Sequence, residues 1–367
     1  MARIATFDDW IALFRQWQRD IGYDPALIGN YTFEARFADT GSPAIEFGRF
    51  RGERKWERLE EVSPGQVRDD LLRLVVYQGD TELASVEQQR NPVQTCPSAH
   101  DLKSLARVNR EEMRHGWQMA YLLVTCFGET GRAEALKLLE RRADQNRRLL
   151  GAFNEPVENW IDFYCYTEFV ARDGRYQLTM LSHSAFAPLA RSMPPMLEEE
   201  KYHLFTGNTG LMRILKAGRI PSTLIQKYFN RWIPVSLDLF GKDSSASALR
   251  FYEEGLKGRY DEDPSRPADL AHLNEHAREL YVRESQALLD ALNELIPPDQ
   301  PRLRIPDPKF RRSIGEYVGQ PYSVDGDLLT PAAYERHLAE VLPGPEDRRR
   351  LESIFKEPDW ILPVATA

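Results

Sequence analysis

The 367-residue sequence has no run of 18 apolar residues, only three cysteines and no excess of positive charge. Its longest apolar stretch, residues 119–127, contains a polar Thr125 and stops at Gly128. A membrane-spanning helix needs about 20 mainly apolar residues, so we expect no membrane span. The first residues, MARIATFDDW, contain neither a basic segment nor an apolar segment with a cleavage site. A cytoplasmic location is therefore expected.

Cysteine usage and net charge exclude further classes of site. Cys96, Cys126 and Cys165 form no CxxC pair and have no zinc-ribbon spacing, so disulfides and thiolate zinc sites are not expected. Ferredoxin-type cysteine spacing and glycine-rich dinucleotide or flavin motifs are absent as well. The net charge of −8 argues against a nucleic-acid partner, because phosphate contacts need clustered cations.

The first 62 residues predict a helix followed by a small antiparallel sheet. Residues 5–24 place aromatic and aliphatic side chains at helical spacing. Residues 31–37, 44–50 and 56–62 alternate apolar and polar side chains and are separated by turn residues. We expect residues 1–62 to form an N-terminal unit of one helix and one small sheet.

Helical patterns dominate from residue 63 onward. Ser63, Pro64 and Gln66 predict a capping-box start for helix A, which continues toward Arg90. The other predicted helices are helix B, from a Ser98 cap to Gly128; a helix over 131–150; helix C, from Pro156 to about Gly174; helix D, from about Ser192 to Leu215; and helices over 222–257 and 268–296. Pro194-Pro195 marks either the start of helix D or a kink. We expect a helical domain over 63–260 and a helical and irregular segment over 261–367, with an irregular tail from Pro297.

Two Glu-x-x-His motifs, Glu112/His115 and Glu200/His203, lie on the apolar faces of predicted helices B and D. Residues three apart share one helix face, so each pair can approach one metal ion. Carboxylate and imidazole together suit iron or manganese, and two such motifs on two helices of a four-helix core are typical of a two-metal site. The alternative is that Glu112 and Glu200 are surface members of the acidic runs around them.

A further carboxylate is expected from helix A, since the two-metal pattern takes one from each remaining helix. Glu82 shares a face with the apolar Val75 and Val86 and with Gln78, and is the preferred candidate. Glu87 points more than a quarter turn away and stays as the alternative. His100 and His183 belong to no such pair, and we interpret both as structural.

Residues 82–115, ELASVEQQRNPVQTCPSAHDLKSLARVNREEMRH, resemble the first half-site of bacterial ring-epoxidising oxygenases that act on aryl-CoA thioesters. The oxygenase components of benzoyl-CoA 2,3-epoxidases are the most similar group. The similarity includes residues 159–178, 196–210, 236–259 and 310–320 and extends over most of the chain after residue 60. It implies a mainly α, ferritin-like four-helix bundle, here with the small N-terminal antiparallel β element and additional C-terminal helices.

The resemblance also implies an activity and its requirements. It implies a non-haem diiron monooxygenase of aromatic degradation, with two iron ions (Fe2+/Fe3+), O2 as co-substrate and an aromatic or aryl-CoA substrate. Because the chain has no electron-carrying motif of its own, a separate NAD(P)H-dependent reductase is expected. The implied metal ligands are Glu82, Glu112 and His115 for one iron and Glu200 and His203 for the other, with Glu112 and Glu200 as the bridging, catalytic pair.

One expected ligand is missing. The family's aspartate near the end of helix C corresponds to Ala171, which cannot bind a metal. Glu168, one turn earlier, is the preferred substitute, and Asp173 or a weakened or vacant metal position are the alternatives. Gln78 is placed to contact substrate or bound oxygen, with a purely structural role as the alternative.

Two other functions stay open at this point. The first is a diiron oxygenase that acts on an amine or a carrier-bound acid in a biosynthetic pathway. The second is a metal-poor helical protein that serves as a binding or subunit partner. Ala171 favours both. The chain is also shorter than typical family members, mainly before helix A and after residue 260, so the substrate end is expected to differ.

Overall fold

A computed structural model describes residues 6–28, 31–39, 42–242, 245–263 and 265–364, and in these ranges the chain is mainly helical. The α-helices are α1 (Phe7–Asp20), α2 (Pro25–Ile28), α3 (Gln66–Gln89), α4 (Ala99–Cys126), α5 (Gly128–Glu140), α6 (Trp160–Cys165), α7 (Ala171–Ser182), α8 (Ala187–Ala217), α9 (Ser222–Leu239), α10 (Ala246–Glu253), α11 (Glu275–Asn293), α12 (Pro331–Val341) and α13 (Pro345–Ile354). A π-helical turn, Tyr166–Val170, joins α6 to α7. None of the helices in the described ranges is long and apolar enough to cross a membrane.

Four helical segments, α3, α4, α6–α7 and α8, pack together in the middle of the chain. The helices α3 and α4 form one closely packed pair and α7 and α8 another, while α4 and α6 both pack against α8. The short connections within each pair make its helices antiparallel. Around this centre, α5 covers the α3–α4 pair and α9 covers α6 and the π-helical turn.

Two glycines bring α8 close to α6 and the π-helical turn. A Cβ atom on Gly207 would lie 2.7 Å from the backbone nitrogen of Glu168, and one on Gly210 would overlap the Tyr164 ring. Any larger residue would force the two segments apart, which typically costs about 1–3 kcal/mol. The close approach fixes the distance between α8 and the region of Ala171.

Pro194 and Pro195 lie inside α8 and do not begin it. Because Pro195 has no N–H, it leaves the carbonyl of Arg191 without its usual helical donor. The backbone nitrogen of Ala38 supplies that donor at 2.9 Å. The N-terminal segment therefore bonds to α8 at the carbonyl group that has no donor within the helix.

The predicted antiparallel sheet over residues 30–62 is wrong. Within the described part of this segment the only paired residues are two isolated bridges, Ala44 with Arg54 (antiparallel) and Trp56 with Phe186 (parallel). Backbone pairing within the segment is confined to a short loop, where Ile45 donates to Glu53 at 2.8 Å, while the backbone nitrogen of Arg36 donates to the Gln118 side chain of α4 at 2.7 Å. The Phe33 ring packs on Phe14 and Trp117, with centroids 5.4 and 5.0 Å away. The alternation of apolar and polar side chains arises here because one side of an irregular chain packs on a helical surface.

The helix predictions hold for most elements but not at all their ends. The predicted Ser98 cap of α4 is confirmed, since its Oγ accepts from the backbone nitrogen of Asp101 at 3.2 Å. The predicted Ser63 capping box is wrong, because α3 begins at Gln66 after Gly65, which offers no side chain and has φ of 84°. The predicted irregular tail contains α12 and α13.

Predicted helix 131–150 also ends early, at Glu140. The residues that follow turn back onto α3. The Arg148 side chain, 4% exposed, pairs with Asp80 at 3.1 Å and Glu87 at 2.8 Å, and the backbone nitrogen of Leu149 donates to Asp80 at 2.7 Å. Pairing two buried carboxylates on α3 requires this turn, because unpaired buried charges are strongly destabilising.

Candidate metal centre

Five predicted ligands meet between α3, α4 and α8. The structure forms two groups whose ligand atoms lie within 4.8 Å of one another: Glu82 with Glu112 and His115, and Glu112 with Glu200 and His203. All five side chains are buried, and both histidines are fully so. Because Glu112 belongs to both groups, the two positions are adjacent.

Both imidazoles turn Nδ1 toward the shared space. His115 Nδ1 lies 3.2 Å from Glu82 Oε2 and 3.7 Å from Glu200 Oε1. His203 Nδ1 lies 3.2 Å from Glu200 Oε2 and 3.6 Å from Glu112 Oε1. Ser85 donates to Glu112 Oε1 at 2.9 Å and so fixes the shared carboxylate from α3.

The donor set fits two metal ions. His203 Nδ1 and Glu200 Oε2 are buried and have no hydrogen-bond partner in the part of the chain that the structure describes. Buried polar atoms of this kind are rare and call for a partner. Carboxylates with imidazole nitrogen suit iron or manganese, and an ion in each group would satisfy these atoms.

The outer nitrogen of each histidine meets a carboxylate from the other ligand helix. His115 Nε2, on α4, donates to Glu199 Oε2 of α8 at 2.8 Å, and His203 Nε2, on α8, lies 3.2 Å from Glu111 Oε2 of α4. The hydrogen bond at His115 Nε2 leaves the Nδ1 lone pair of that ring for a metal and fixes the ring orientation, whereas His203 Nε2 makes an ion-pair contact without hydrogen-bond geometry. We call Glu111 and Glu199 the outer carboxylates.

Sequence reasoning missed both outer carboxylates. Each directly precedes a predicted ligand, so both motifs read Glu-Glu-x-x-His. That repetition was the available signal. The sequence interpretation considered these neighbouring glutamates only within the alternative of acidic surface runs, whereas Glu111 is 8% exposed and the side chain of Glu199 12% exposed.

Arginines hold the outer carboxylates in turn. Arg114 Nε donates to both Glu199 oxygens at 2.9 and 3.0 Å, and Arg107 Nε donates to Glu111 Oε1 at 2.8 Å. Burial raises the pKa of Glu199, but hydrogen bonds from His115 and Arg114 outweigh it and lower that pKa to about 2. Glu199 is therefore a carboxylate anion throughout the physiological range.

His115 and Glu112 hold their protons more tightly than free side chains do. Burial lowers the pKa of His115, but Glu82 and Glu199 outweigh it and raise that pKa to about 9. Burial and the neighbouring carboxylates raise the pKa of Glu112 well above its usual value. Metal binding at these groups would therefore release protons.

Glu168 lies outside both groups. Its carboxylate is fully buried on the π-helical turn, where Oε1 accepts from Arg172 Nη2 and Oε2 has no partner among the described residues. Arg172 also bonds Glu284 of α11 at 2.7 Å. Burial, only partly offset by Arg172, raises the pKa of Glu168 to about 7. The structure brings neither Glu168 nor Asp173 to the five grouped side chains.

The remaining candidates occupy other positions. Glu87 bonds Arg148 at 2.8 Å and the backbone nitrogen of Ala143 at 2.8 Å, so the structure does not place it among the grouped carboxylates. His183 Nδ1 pairs with Glu46 at 3.0 Å, which fits the structural role predicted for it. His100 is 3.5 Å from Ser104 Oγ.

Gln78 joins the centre to a cavity. Its Nε2 donates to Glu82 Oε1, and its side chain lines a cavity of about 390 Å³ between α3 and α7. The apolar part of the wall includes Leu74, Phe153, Val170, Leu181, Phe240 and Phe251. An apolar cavity with a few polar groups is the usual form of a small-molecule site.

A family profile described as "Phenylacetic acid catabolic protein" matches residues 58–279, which is more than half of the chain. The chain belongs to this family. The phenylacetic acid catabolic region contains all five grouped side chains and the cavity wall on α3 and α7. The resemblance found in the sequence is thus confirmed at the level of the family.

Two curated relatives of this chain have names that state an activity. Benzoyl-CoA oxygenase component B of Aromatoleum evansii is 37% identical over 364 residues, which cover 86% of this chain and 76% of the relative. One of the subunits of the 1,2-phenylacetyl-CoA epoxidase of Escherichia coli is 22% identical over 211 residues, which cover 55% of this chain and 67% of the relative. Both names are those of oxygenating enzymes, and the similarity supports an enzyme.

Proposed function

We propose that this family member is a diiron monooxygenase built on a ferritin-like four-helix bundle. It oxygenates the ring of an aromatic substrate bound as a CoA thioester, of the benzoyl-CoA type, with O2 and externally supplied electrons. The observation that carries the proposal is the pair of buried Glu/His groups that share Glu112 and adjoin an apolar cavity. The names of the two relatives support the substrate class.

The proposal gives each grouped side chain a role. Glu82, Glu112 and His115 would hold one iron, and Glu112, Glu200 and His203 would hold the other, with Glu112 and Glu200 as the central catalytic pair. Two iron ions bound there would supply the reductive activation of O2 that the side chains alone cannot perform. The outer carboxylates keep the two imidazoles aimed at the metals, and Gln78 orients Glu82 while it faces the cavity.

We propose Glu168 as the sixth ligand, in the place that Ala171 cannot fill. Its carboxylate has to leave the Arg172 guanidinium, and a charge-assisted hydrogen bond of this kind contributes about 1.5–3 kcal/mol. A bond to the metal ion, which would otherwise have only Glu112, Glu200 and His203 as ligands, would offset that loss. If Glu168 stays with Arg172, the second metal position is the weaker one.

Electrons come from a separate NAD(P)H-dependent reductase in this proposal. The sequence contains no flavin, dinucleotide or iron–sulfur motif. The relative's designation as component B supports a system of more than one component.

The test is metal analysis followed by a substrate comparison. Protein purified without oxygen and reconstituted with Fe(II) is assayed for iron and then for oxygen incorporation into benzoyl-CoA, benzoate, aromatic amines and carrier-bound acids. We expect close to two irons per chain and oxygenation of benzoyl-CoA. Iron binding near zero would instead indicate a metal-poor binding or subunit protein. Iron binding with oxygenation of only the amines or carrier-bound acids would indicate the biosynthetic alternative.

A further inference from the structure

Three linked polar side chains lie in the wall of the cavity between α3 and α7. Lys257 Nζ donates to Gln177 Oε1 at 2.6 Å, and Gln177 Nε2 donates to Asp173 Oδ1 at 2.9 Å. All three line the cavity, whose apolar walls are described above. We call Lys257, Gln177 and Asp173 the cavity triad.

The two charged members of the cavity triad do not touch directly. The described residues contain no Lys257–Asp173 ion pair, and the neutral Gln177 amide separates the charges. Burial lowers the pKa of Lys257 to about 8 and raises that of Asp173 to about 7. Lys257 is half-buried, and no carboxylate in the described part of the chain pairs with its ammonium directly. An ammonium has three N–H donors, and Gln177 is the one side-chain acceptor that the described part of the chain provides for it.

The cavity wall connects the triad to the metal centre. Gln78, which bonds the grouped Glu82, and Val170, which precedes Ala171 in the sequence, both line the cavity. Gln177 is six residues beyond Ala171 on α7, which is about 9 Å along the helix axis. A benzoyl group with its ring at the Val170 end would place its carbonyl oxygen in the direction of Lys257.

The charge of the cavity triad selects between two kinds of ligand oxygen. Lys257 and Asp173 together carry no net charge, whether the proton is on the ammonium or on the carboxyl group. A neutral acyl oxygen can accept a hydrogen bond from Lys257 without adding charge to the cavity. A free carboxylate would bring an uncompensated negative charge into it, which is costly in an apolar environment.

We propose that Lys257, positioned by Gln177 and Asp173, donates a hydrogen bond to the thioester carbonyl oxygen of the substrate and favours the thioester over the free acid. This assignment rests on the proposed function and identifies the residue that recognises the acyl group of the proposed substrate. Lys257 is therefore a binding residue, while Gln177 and Asp173 are positioning residues.

The test compares ligands with and without the carbonyl group. Binding of benzoyl-CoA and of S-benzyl-CoA, the thioether that lacks the carbonyl oxygen, is measured by calorimetry on the full chain without metal. We expect the wild type to prefer benzoyl-CoA by about 10- to 100-fold, the range for a hydrogen bond to a charged donor. Lys257→Met should bind the two ligands equally, and Lys257→Arg, which keeps a donor, should retain a preference.

Lys242→Met is the matched control, because Lys242 also lines the cavity but is exposed and is not part of the cavity triad. It should keep the wild-type preference, even if both affinities fall together. An unchanged preference in Lys257→Met, with an unchanged circular dichroism spectrum, would overturn the carbonyl contact alone. Failure of the wild type to bind either CoA compound would overturn the aryl-CoA substrate class, and the carbonyl contact with it.

A second variant tests the charge balance. Asp173→Asn leaves the cavity triad with a net positive charge when Lys257 is protonated, so free benzoate should bind at least about tenfold more tightly than it does to the wild type. Benzoate affinity equal to that of the wild type would show that Asp173 does not set the preference for the thioester.

Discussion

Glu199→Gln tests whether the outer carboxylate tunes the metal centre. The substitution keeps the size of the side chain but removes its charge and replaces one acceptor oxygen with an amide NH2 group. Glu199 accepts hydrogen bonds from His115 at 2.8 Å, from Arg114 at 2.9 Å and from Arg36 at 2.9 Å. One amide oxygen cannot serve all three donors, so His115 loses part of its orientation and basicity.

The expected magnitude follows from burial. His115 is fully buried and Arg114 is 3% exposed, so water does not replace the lost interaction. Loss of such a partner typically weakens metal binding by about 10- to 100-fold, or about 1.4–2.8 kcal/mol. The weaker ion should be the one held by His115 with Glu82, while the ion held by His203 keeps its own outer carboxylate.

An anaerobic Fe(II) or Co(II) titration measures the two binding events separately. Glu198→Gln is the matched control, because the neighbouring Glu198 side chain is 71% exposed and pairs with Lys201 at the surface; its affinities should stay within about twofold of the wild type. If folded Glu199→Gln binds both metals as tightly as Glu198→Gln does, the outer carboxylate does not act on the centre and the reasoning is refuted.

Four further predictions concern the centre and the fold around it. His115→Ala should abolish most iron binding, while His183→Ala, which removes a histidine paired with the half-buried Glu46, should leave it intact. Equal losses by metal analysis would contradict the site. Glu168→Ala should lower the stoichiometry toward one iron per chain, and Ala171→Asp in that background should restore it, so two tightly held irons in Glu168→Ala would exclude Glu168 as a ligand. Turnover should require an added reductase, and sustained NADPH-driven turnover by the chain alone would disprove this. Burial raises the pKa of Asp162 from 3.8 to about 6, so its ionisation opposes folding. In urea denaturation, the free energy of unfolding of the wild type should fall by up to about 3 kcal/mol relative to Asp162→Asn between pH 4 and pH 6. Parallel stability curves for the two proteins would show that the pKa of Asp162 is not shifted.

The sequence predicted the grouped residues well because helical spacing is a local property. Glu112 and His115 lie three residues apart on an apolar face, and so do Glu200 and His203, which is enough to place each pair on one side of a helix. Family membership, inferred from similar segments, is confirmed by the profile match. The periodicity did not predict which helices are neighbours, because it describes each helix separately.

Contacts between distant segments were not predictable in the same way. Nothing in local spacing says that Glu111 meets the histidine of the other motif. The alternation of apolar and polar side chains in residues 31–37 fits a strand and an irregular chain packed on helices equally well. The predicted sheet was wrong because this pattern cannot distinguish the two. Arg172, in contrast, follows Glu168 by four residues, and that i, i+4 spacing was a usable sign that Glu168 has another partner.

Because each outer carboxylate contacts a histidine on the other helix, the metal ligands of α4 and α8 depend on one another. Each helix supplies a ligand glutamate, a histidine and the carboxylate that steers the partner helix's histidine. A change on α4 at Glu111 therefore acts on an imidazole of α8, and a change on α8 at Glu199 acts on an imidazole of α4. Loss of either outer carboxylate should therefore weaken the half-site of the other helix, and we expect relatives to retain both doubled-glutamate motifs or neither.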